Sequence, residues 1–392
     1  MRSGLEVLLE DVSRLHGLRV GFVCNHTAID RDFRHGIDRL IQAGVNLVRL
    51  FGPEHGVRAT AQDMEGVDEF RDPVTGVPTV SLYGDSAASL HPKADHLRDL
   101  DVILFDIQDI GSRYYTYQAT LGFVMQVAGP LGVKVIVLDR PNPIDGMTLE
   151  GNVVQPGFES FVGAFPLAVR HAMTVGELAY FFRDHCGIAC EIEVILCEGW
   201  SRSQWYDQGD LPWVYPSPNM PTLDTATVYP GTCLIEATNL SEGRGTTRPF
   251  HLVGAPWIDP EKFVRECERR GADAGLAGVA FRPSAFVPGF QKHARKRCGG
   301  IEIHVTDRTR LNAYLLGMVV TAAGRAAHPE LFAWRTEAYE FVTDPIAIDL
   351  LTGSTEYRET VESEGSLSEL LVRWAPQLRS FDEKRKTCLR YT

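Results

Sequence analysis

The chain has 392 residues, with 44% hydrophobic and 23% charged side chains. At about 150 residues per domain this is roughly two to three domains with ordinary globular composition, which excludes a disordered, collagen-like or disulfide-dense chain. Lys plus Arg number 39 and Asp plus Glu 51, a net charge of −12. That balance argues against a general nucleic-acid binder or a protein that coats anionic membranes.

The first half alternates strand-like and helix-like segments. Short continuous apolar runs predict strands at Leu18–Cys24, Val45–Phe51, Val102–Ile107, Val133–Asp139 and Ile192–Cys197. Such runs suit a parallel sheet covered on both faces. Helices are predicted at His35–Ala43, Tyr115–Ala128 and Thr174–His185, the last opened by a capping box of Thr174 and Glu177. The repetition predicts a Rossmann-like, doubly wound, mostly parallel α/β unit over residues 1–200. Residues 199–230, with Trp200, Trp205, Trp213 and a Pro-rich run, read as a junction. A smaller α+β unit over 201–392 is predicted to follow. Its strands are placed at Thr232–Thr238, Gly278–Phe286 and Ile301–Asp307, and its helices at Pro260–Arg270 and Leu311–Ala323.

The eight cysteines form no C-x-x-C pair, and a chain of this size needs no disulfide staples, so free thiols are expected. No run of about 18 apolar residues suggests a membrane span, and the first residues lack a signal-peptide core, so a cytoplasmic protein is expected.

In doubly wound sheets, ligands bind beyond the carboxyl ends of the strands. Those ends read Asn25-His26-Thr27, Gly52-Pro53-Glu54-His55-Gly56, Gln108-Asp109-Ile110-Gly111-Ser112-Arg113 and Arg140-Pro141-Asn142-Pro143. The first turn contains no glycine, which argues against a dinucleotide. No P-loop, no G-x-S-x-G nucleophile elbow and no H-E-x-x-H spacing is present, so neither a cofactor nor a metal is expected.

Carboxylates remain. Glu54 is the strongest candidate: it follows an apolar strand, is fixed by Pro53 and lies between Gly52 and Gly56. The plainer alternative is an acid that caps the next helix. Acids that could face it are Glu65, Asp106, Asp109, Glu150, Glu236 and Glu242. Asp106 reads equally as a structural partner of Arg113 or Arg140, and Glu242 as an acid ordering its own Gly-rich loop through Arg244. Tyr114, Tyr115, Tyr117 and the junction tryptophans suit a sugar face or simple packing. Arg113, Arg140 and Arg244 suit either a ligand carboxylate or internal salt bridges.

The segments GFVCNHTA (Gly21–Ala28), LFGPEHGVR (Leu50–Arg58), TGVPTVSLYG (Thr75–Gly84), FDIQDIGSRYYTY (Phe105–Tyr117), LDRPNP (Leu138–Pro143), SFVG (Ser160–Gly163), PSPNMPT (Pro216–Thr222), NLSEGRGTT (Asn239–Thr247), FRP (Phe281–Pro283) and IHVTDR (Ile303–Arg308) resemble, in this order, a bacterial family. That family, once a domain of unknown function, is described as exo-β-N-acetylmuramidases of the NamZ type.

The resemblance implies two units with the active site in the cleft between them. It implies hydrolysis of a non-reducing terminal N-acetylmuramic acid (MurNAc) from peptidoglycan fragments of the MurNAc-GlcNAc type (GlcNAc, N-acetylglucosamine). The family's proposed catalytic glutamate falls on Glu54. Glu150 is the first choice for its partner and Glu242 the second, with Arg113 or Arg140 holding the lactyl carboxylate. Asn25, His26, His55, Asp106, Gln108, Tyr117, Asn219, Asn239 and Arg244 complete the expected substrate contacts. Ala59 and Ala172 stand where the family commonly has Gly. The rival readings are a non-catalytic binder of cell-wall sugars and a metal-assisted amide or ester hydrolase.

Overall fold

The computed structural model describes residues 1–53, 56–57, 70–84 and 86–392. In chain order the elements are α1 (Gly4–Glu10), β1 (Val20–Cys24), α2 (Gly36–Gln42), β2 (Leu47–Gly52), β3 (Phe70–Arg71), β4 (Pro78–Ser81), β5 (Val102–Asp106), α3 (Tyr117–Ala128), β6 (Lys134–Leu138), β7 (Glu150–Val153), β8 (Ala168–Arg170), α4 (Val175–His185) and β9 (Ile192–Ile195). The second half adds α5 (Leu223–Thr232), β10 (Leu252–Ala255), α6 (Pro260–Ala274), β11 (Val279–Phe286), β12 (Cys298–Val305), α7 (Ala313–Ala327), α8 (Ala347–Thr352), α9 (Glu356–Glu362) and α10 (Leu367–Cys388).

Strands β4-β2-β1-β5-β6-β9 form a parallel sheet, and β3 pairs antiparallel at the β4 edge. All five strands predicted for this unit are in it. The sheet carries a separate apolar core on each face, because successive side chains point to opposite sides. Leu104, Ile136 and Leu138 join Leu5, Phe22 and Ile37 under α1 and α2. Ile103, Phe105, Val135 and Val137 face the opposite core, with Val124, Leu178 and Phe182 of α3 and α4. Such two-sided burial explains why the strands read as unbroken apolar runs.

Chain order reverses between β1 and β5, which makes their carboxyl ends the switch point where a crevice opens. A backbone-to-side-chain bond ties the two ends together: the Gln108 amide donates to Thr27 Oγ1 at 2.9 Å.

The smaller unit is an antiparallel sheet, β10-β12-β11, packed with α5, α6 and α7. Helices α5 and α7 touch through Gly231 and Gly317, where any Cβ would meet the opposing backbone within 2 Å. The strand predicted at Thr232–Thr238 is instead the end of α5 and a 3₁₀ turn over Cys233–Ala237. A short apolar run buried all round has no distinguishing period. Here Thr222 caps Thr225 and commits the segment to helix. Strand β4 had no separate signal, being short and opened by Pro78.

Helix α10 returns to the first half and packs on α4 and β7, with Phe381 against Phe181. Beyond it, the Tyr391 hydroxyl donates to Asp139 at 2.5 Å, just past the end of β6. Asp139 also accepts from Thr174 Oγ1 at 2.7 Å and the Gly176 amide at 2.8 Å. Burial raises its carboxyl from 3.8 to about 6, against those donors. A raised carboxyl stabilises the fold below its unfolded value and loses that contribution as pH rises through the folded one. The expected difference between wild type and Asp139→Asn in unfolding free energy therefore changes by about 3 kcal/mol between pH 3.5 and 6.5. Urea titrations at both pH values read it directly, and a difference that stays constant with pH contradicts it.

Ala172 has φ 53°, a left-handed conformation. Its carbonyl accepts from Arg202 and, at 2.9 Å, from Arg385 of α10. Those bonds hold a conformation that costs an alanine about 1 kcal/mol. All eight cysteines are free thiols. Among the described residues no helix is long and apolar enough to cross a membrane.

Candidate active site

Strand β2 ends at Gly52, and the Gly56 amide donates to the Pro53 carbonyl at 2.9 Å, with Gly56 at φ 76°. That left-handed conformation at position 56 favours a residue without a Cβ. Glu54 and His55, and likewise Ala59 and Glu65, lie outside the described residues.

At the switch point, Asn25 Oδ1 accepts from the Thr27 amide and hydroxyl at 2.9 and 2.6 Å. Gln108 donates its side-chain amide to the Asp109 and Pro141 carbonyls at 2.8 and 2.9 Å. Asn25 Nδ2 and Gln108 Oε1 are buried without a partner among the described residues. His26 Nε2 meets the Tyr215 carbonyl at 2.5 Å, and burial lowers the imidazole below its ordinary value. Tyr117 donates its hydroxyl to the Pro216 carbonyl at 2.6 Å. The PSPNMPT loop is thus fastened over the ends of β1 and β5.

That loop closes one wall of a polar pocket. Tyr114, Tyr115 and Tyr117 line it together with Asn219, Glu236, Arg244 and Tyr339. Glu236, Arg244 and Tyr339 also line a larger cavity of about 650 Å³, with Asn239, Glu242, Lys292 and His293. Arg244 joins two carboxylates here: Nη2 lies 2.7 Å from Glu236 Oε1, and Nε 3.4 Å from Glu242 Oε1. The second oxygen of Glu236 accepts from the Tyr339 hydroxyl at 2.9 Å, and that of Glu242 from Lys292 at 3.0 Å. Burial, reinforced by Glu236, pushes the Tyr339 phenol well up, so it remains a donor.

Four expected contacts need correction. Arg113 is fully buried and donates to the carbonyls of Asn152, Leu167 and Leu351 at 2.6–2.9 Å. Arg140 makes a buried two-point pair with Asp106, at 2.5 and 3.0 Å. Both guanidinia are thus engaged inside the fold, and Asp106 is the internal partner of Arg140. Glu150 is also sealed: its oxygens accept from Arg170 at 2.8 Å and from the Tyr314 amide at 2.9 Å. Burial raises its carboxyl while Arg170 opposes, and Glu150 lines neither the tyrosine-walled pocket nor the larger cavity.

Asn239 lines the cavity, although both ends of its amide are taken by the Leu331 carbonyl and the Ala333 amide. The junction tryptophans pack rather than line the pocket: Trp200 against Tyr391, and Trp205 under Arg308 and Arg170.

Removing Asp106 would strand a buried Arg140. Asp106→Ala is expected to cost about 3–5 kcal/mol of stability, measured by denaturant unfolding. A loss within 0.5 kcal/mol, the ordinary range for a surface change, contradicts the buried pairing.

Sequence reasoning named Glu236 only as one acid among several and missed Tyr339 and Lys292. Glu236 carried a signal, a lone acid inside the apolar run TCLIEAT. Tyr339 lines the pocket and Lys292 the larger cavity, both from distant segments, and they carried none. Among the described residues, no group of three His, Cys, Asp or Glu side chains is arranged to hold a metal ion.

The comparisons with known proteins bear on the whole chain. Residues 20–224 match the N-terminal region of the family described as exo-β-N-acetylmuramidase NamZ, and residues 227–391 match its C-terminal region. The chain is 38% identical to the peptidoglycan β-N-acetylmuramidase NamZ of Bacillus subtilis strain 168, over 100% of this chain and 91% of that protein. A crystal structure of a DUF1343 family protein from Bacteroides fragilis NCTC 9343 superposes with a TM-score of 0.87 at 32% identity, covering 100% of this chain and 99% of the other. A second DUF1343 protein from that organism gives 0.75 at 27% identity, with the same coverage. With both of its regions matched in order, this chain belongs to the NamZ exo-β-N-acetylmuramidase family.

Proposed function

We propose that the chain is a glycoside hydrolase that releases MurNAc from the non-reducing end of peptidoglycan-derived saccharides. The observation that carries this is the full-length 38% identity to a peptidoglycan β-N-acetylmuramidase. The polar pocket beside the start of α3 supports it, since it offers a carboxylate, an arginine and tyrosine side chains together.

Glycosidases use two carboxyl groups, one to protonate the leaving oxygen and one to act as base or nucleophile. We assign the acid to Glu54, on its sequence position after β2. We assign the second role to Glu236, which lines both the pocket and the larger cavity. Glu242 takes the other reading open to it: with Lys292, it fixes the Arg244 guanidinium. Arg244 replaces Arg113 and Arg140 as the group that meets the lactyl carboxylate, being the one of the three that lines a pocket. No cofactor takes part in this scheme.

The test is product analysis by mass spectrometry. MurNAc-GlcNAc should yield free MurNAc, whereas GlcNAc-MurNAc, with the opposite end exposed, should remain intact. Cleavage of both, or of neither, contradicts the exo-acting assignment.

A further inference from the structure

The connection from β11 to β12, residues 287–297, concentrates positive charge in a chain whose net charge is −12. Arg295, Lys296 and Arg297 are exposed and pair with no carboxylate among the described residues. Beside them Val287 and Phe290 are 55% and 43% exposed.

The loop is built rather than loose. Lys292 donates to the carbonyls of Ile235, Glu236 and Leu240 at 2.9–3.1 Å, and His293 meets the Asn239 carbonyl at 2.7 Å. The Gly289 amide donates to Gly245 at 2.9 Å, and the Arg295 amide to Pro288 at 2.7 Å. Gln291, His293 and Arg295 all hold positive φ, near 60°. Left-handed backbone at three non-glycine residues persists only where surrounding bonds enforce it.

The loop also adjoins the site. Phe286, Val287 and Phe290 line an open groove of about 710 Å³ with Asn219, Thr246 and Thr247. Asn219 is shared with the tyrosine-lined pocket. A ligand leaving that pocket past Asn219 enters a groove lined by Val287 and Phe290, which belong to the same loop as the three exposed cations. An anionic glycan has this chemistry: sugar faces that stack on a ring, and a carboxylate on every muramyl residue.

We propose that the groove and loop 287–297 form a second binding surface, which holds the continuing anionic glycan strand beyond the terminal sugar. This rests on the muramidase reading and extends it from disaccharides to strands.

The test compares a MurNAc-GlcNAc disaccharide with MurNAc-terminated strands of several repeats, for wild type and for Arg295→Ser/Lys296→Ser/Arg297→Ser. The triple variant should cleave the disaccharide at the wild-type rate and lose about tenfold in kcat/KM on strands. It should also lose most of the salt sensitivity seen on strands. Phe290→Ser should weaken strand cleavage but leave the salt response in place. Equal effects on both substrates, or an unchanged salt response in the triple variant, overturn the proposal. If wild type cleaves neither substrate, the muramidase reading fails instead. Strand binding by wild type and triple variant, measured by calorimetry, then judges the loop alone: weaker binding by the variant supports it, and equal binding overturns it.

Discussion

Glu54→Gln is expected to lower the rate of MurNAc release by about 10²–10⁴-fold and to leave substrate binding in place, as when a positioned proton donor is removed without loss of shape. Glu236→Gln is expected to fall in the same range, because each carboxyl serves one half of a single displacement. The double variant should be little worse than either single one, since groups that act as a unit lose their effect together. Single-turnover rates and equilibrium binding of the disaccharide check both parts. A Glu236→Gln enzyme with wild-type kcat removes Glu236 from the chemistry and returns Glu242 to candidacy. Glu54→Gln with full activity removes the acid that the strand-end turn was chosen for.

Arg244→Lys keeps the charge but loses the planar two-point fork that suits a carboxylate. The expected loss in kcat/KM on MurNAc-GlcNAc is about 10- to 100-fold, the worth of a hydrogen bond to a charged group. A substrate with its lactyl carboxylate methylated isolates the contact. Wild type should lose a similar factor on the ester, whereas Arg244→Lys should discriminate little between acid and ester. A variant that still prefers the free acid by the wild-type factor places the carboxylate elsewhere. Arg244 also bridges Glu236 and Glu242, so the cycle across both substrates, rather than the single loss, carries the conclusion.

How far the sequence was legible depended on which physical property it had to reveal. The parallel strands were legible because burial on both faces leaves an apolar run with few alternatives. The capping box at Thr174 was legible for a local reason: its two hydrogen bonds lie within four residues. The polar strand ends located the switch point, and the first turn lacked the glycines of a dinucleotide site.

Orientation was not legible. Arg113, Arg140 and Arg244 look alike in sequence, yet the first two point inward, one to three backbone carbonyls and one to Asp106. Nothing local distinguishes an arginine that closes a core from one that meets a ligand. Glu150 failed for the same reason. Its partners Arg170 and Tyr314 lie 20 and 164 residues away in the chain. Glu236 stood out as a lone acid, but its segment reads as a strand and folds as a 3₁₀ turn after α5, so its direction was not legible.

The net charge of −12 now has a local counterweight. The proposed anionic substrate meets Arg244 inside the pocket and the loop cations outside it. The buried contact should resist salt, and the exposed one should not.

The central claim is that a terminal muramyl residue is cut by Glu54 in the cleft between the two units. It is tested most directly by incubating a MurNAc-terminated glycan strand with wild type and with Glu54→Gln, and following free MurNAc by mass spectrometry. The account predicts stepwise release from the non-reducing end by wild type, and binding without release by the variant. Internal cleavage by wild type, or MurNAc release by the variant at the wild-type rate, would contradict it.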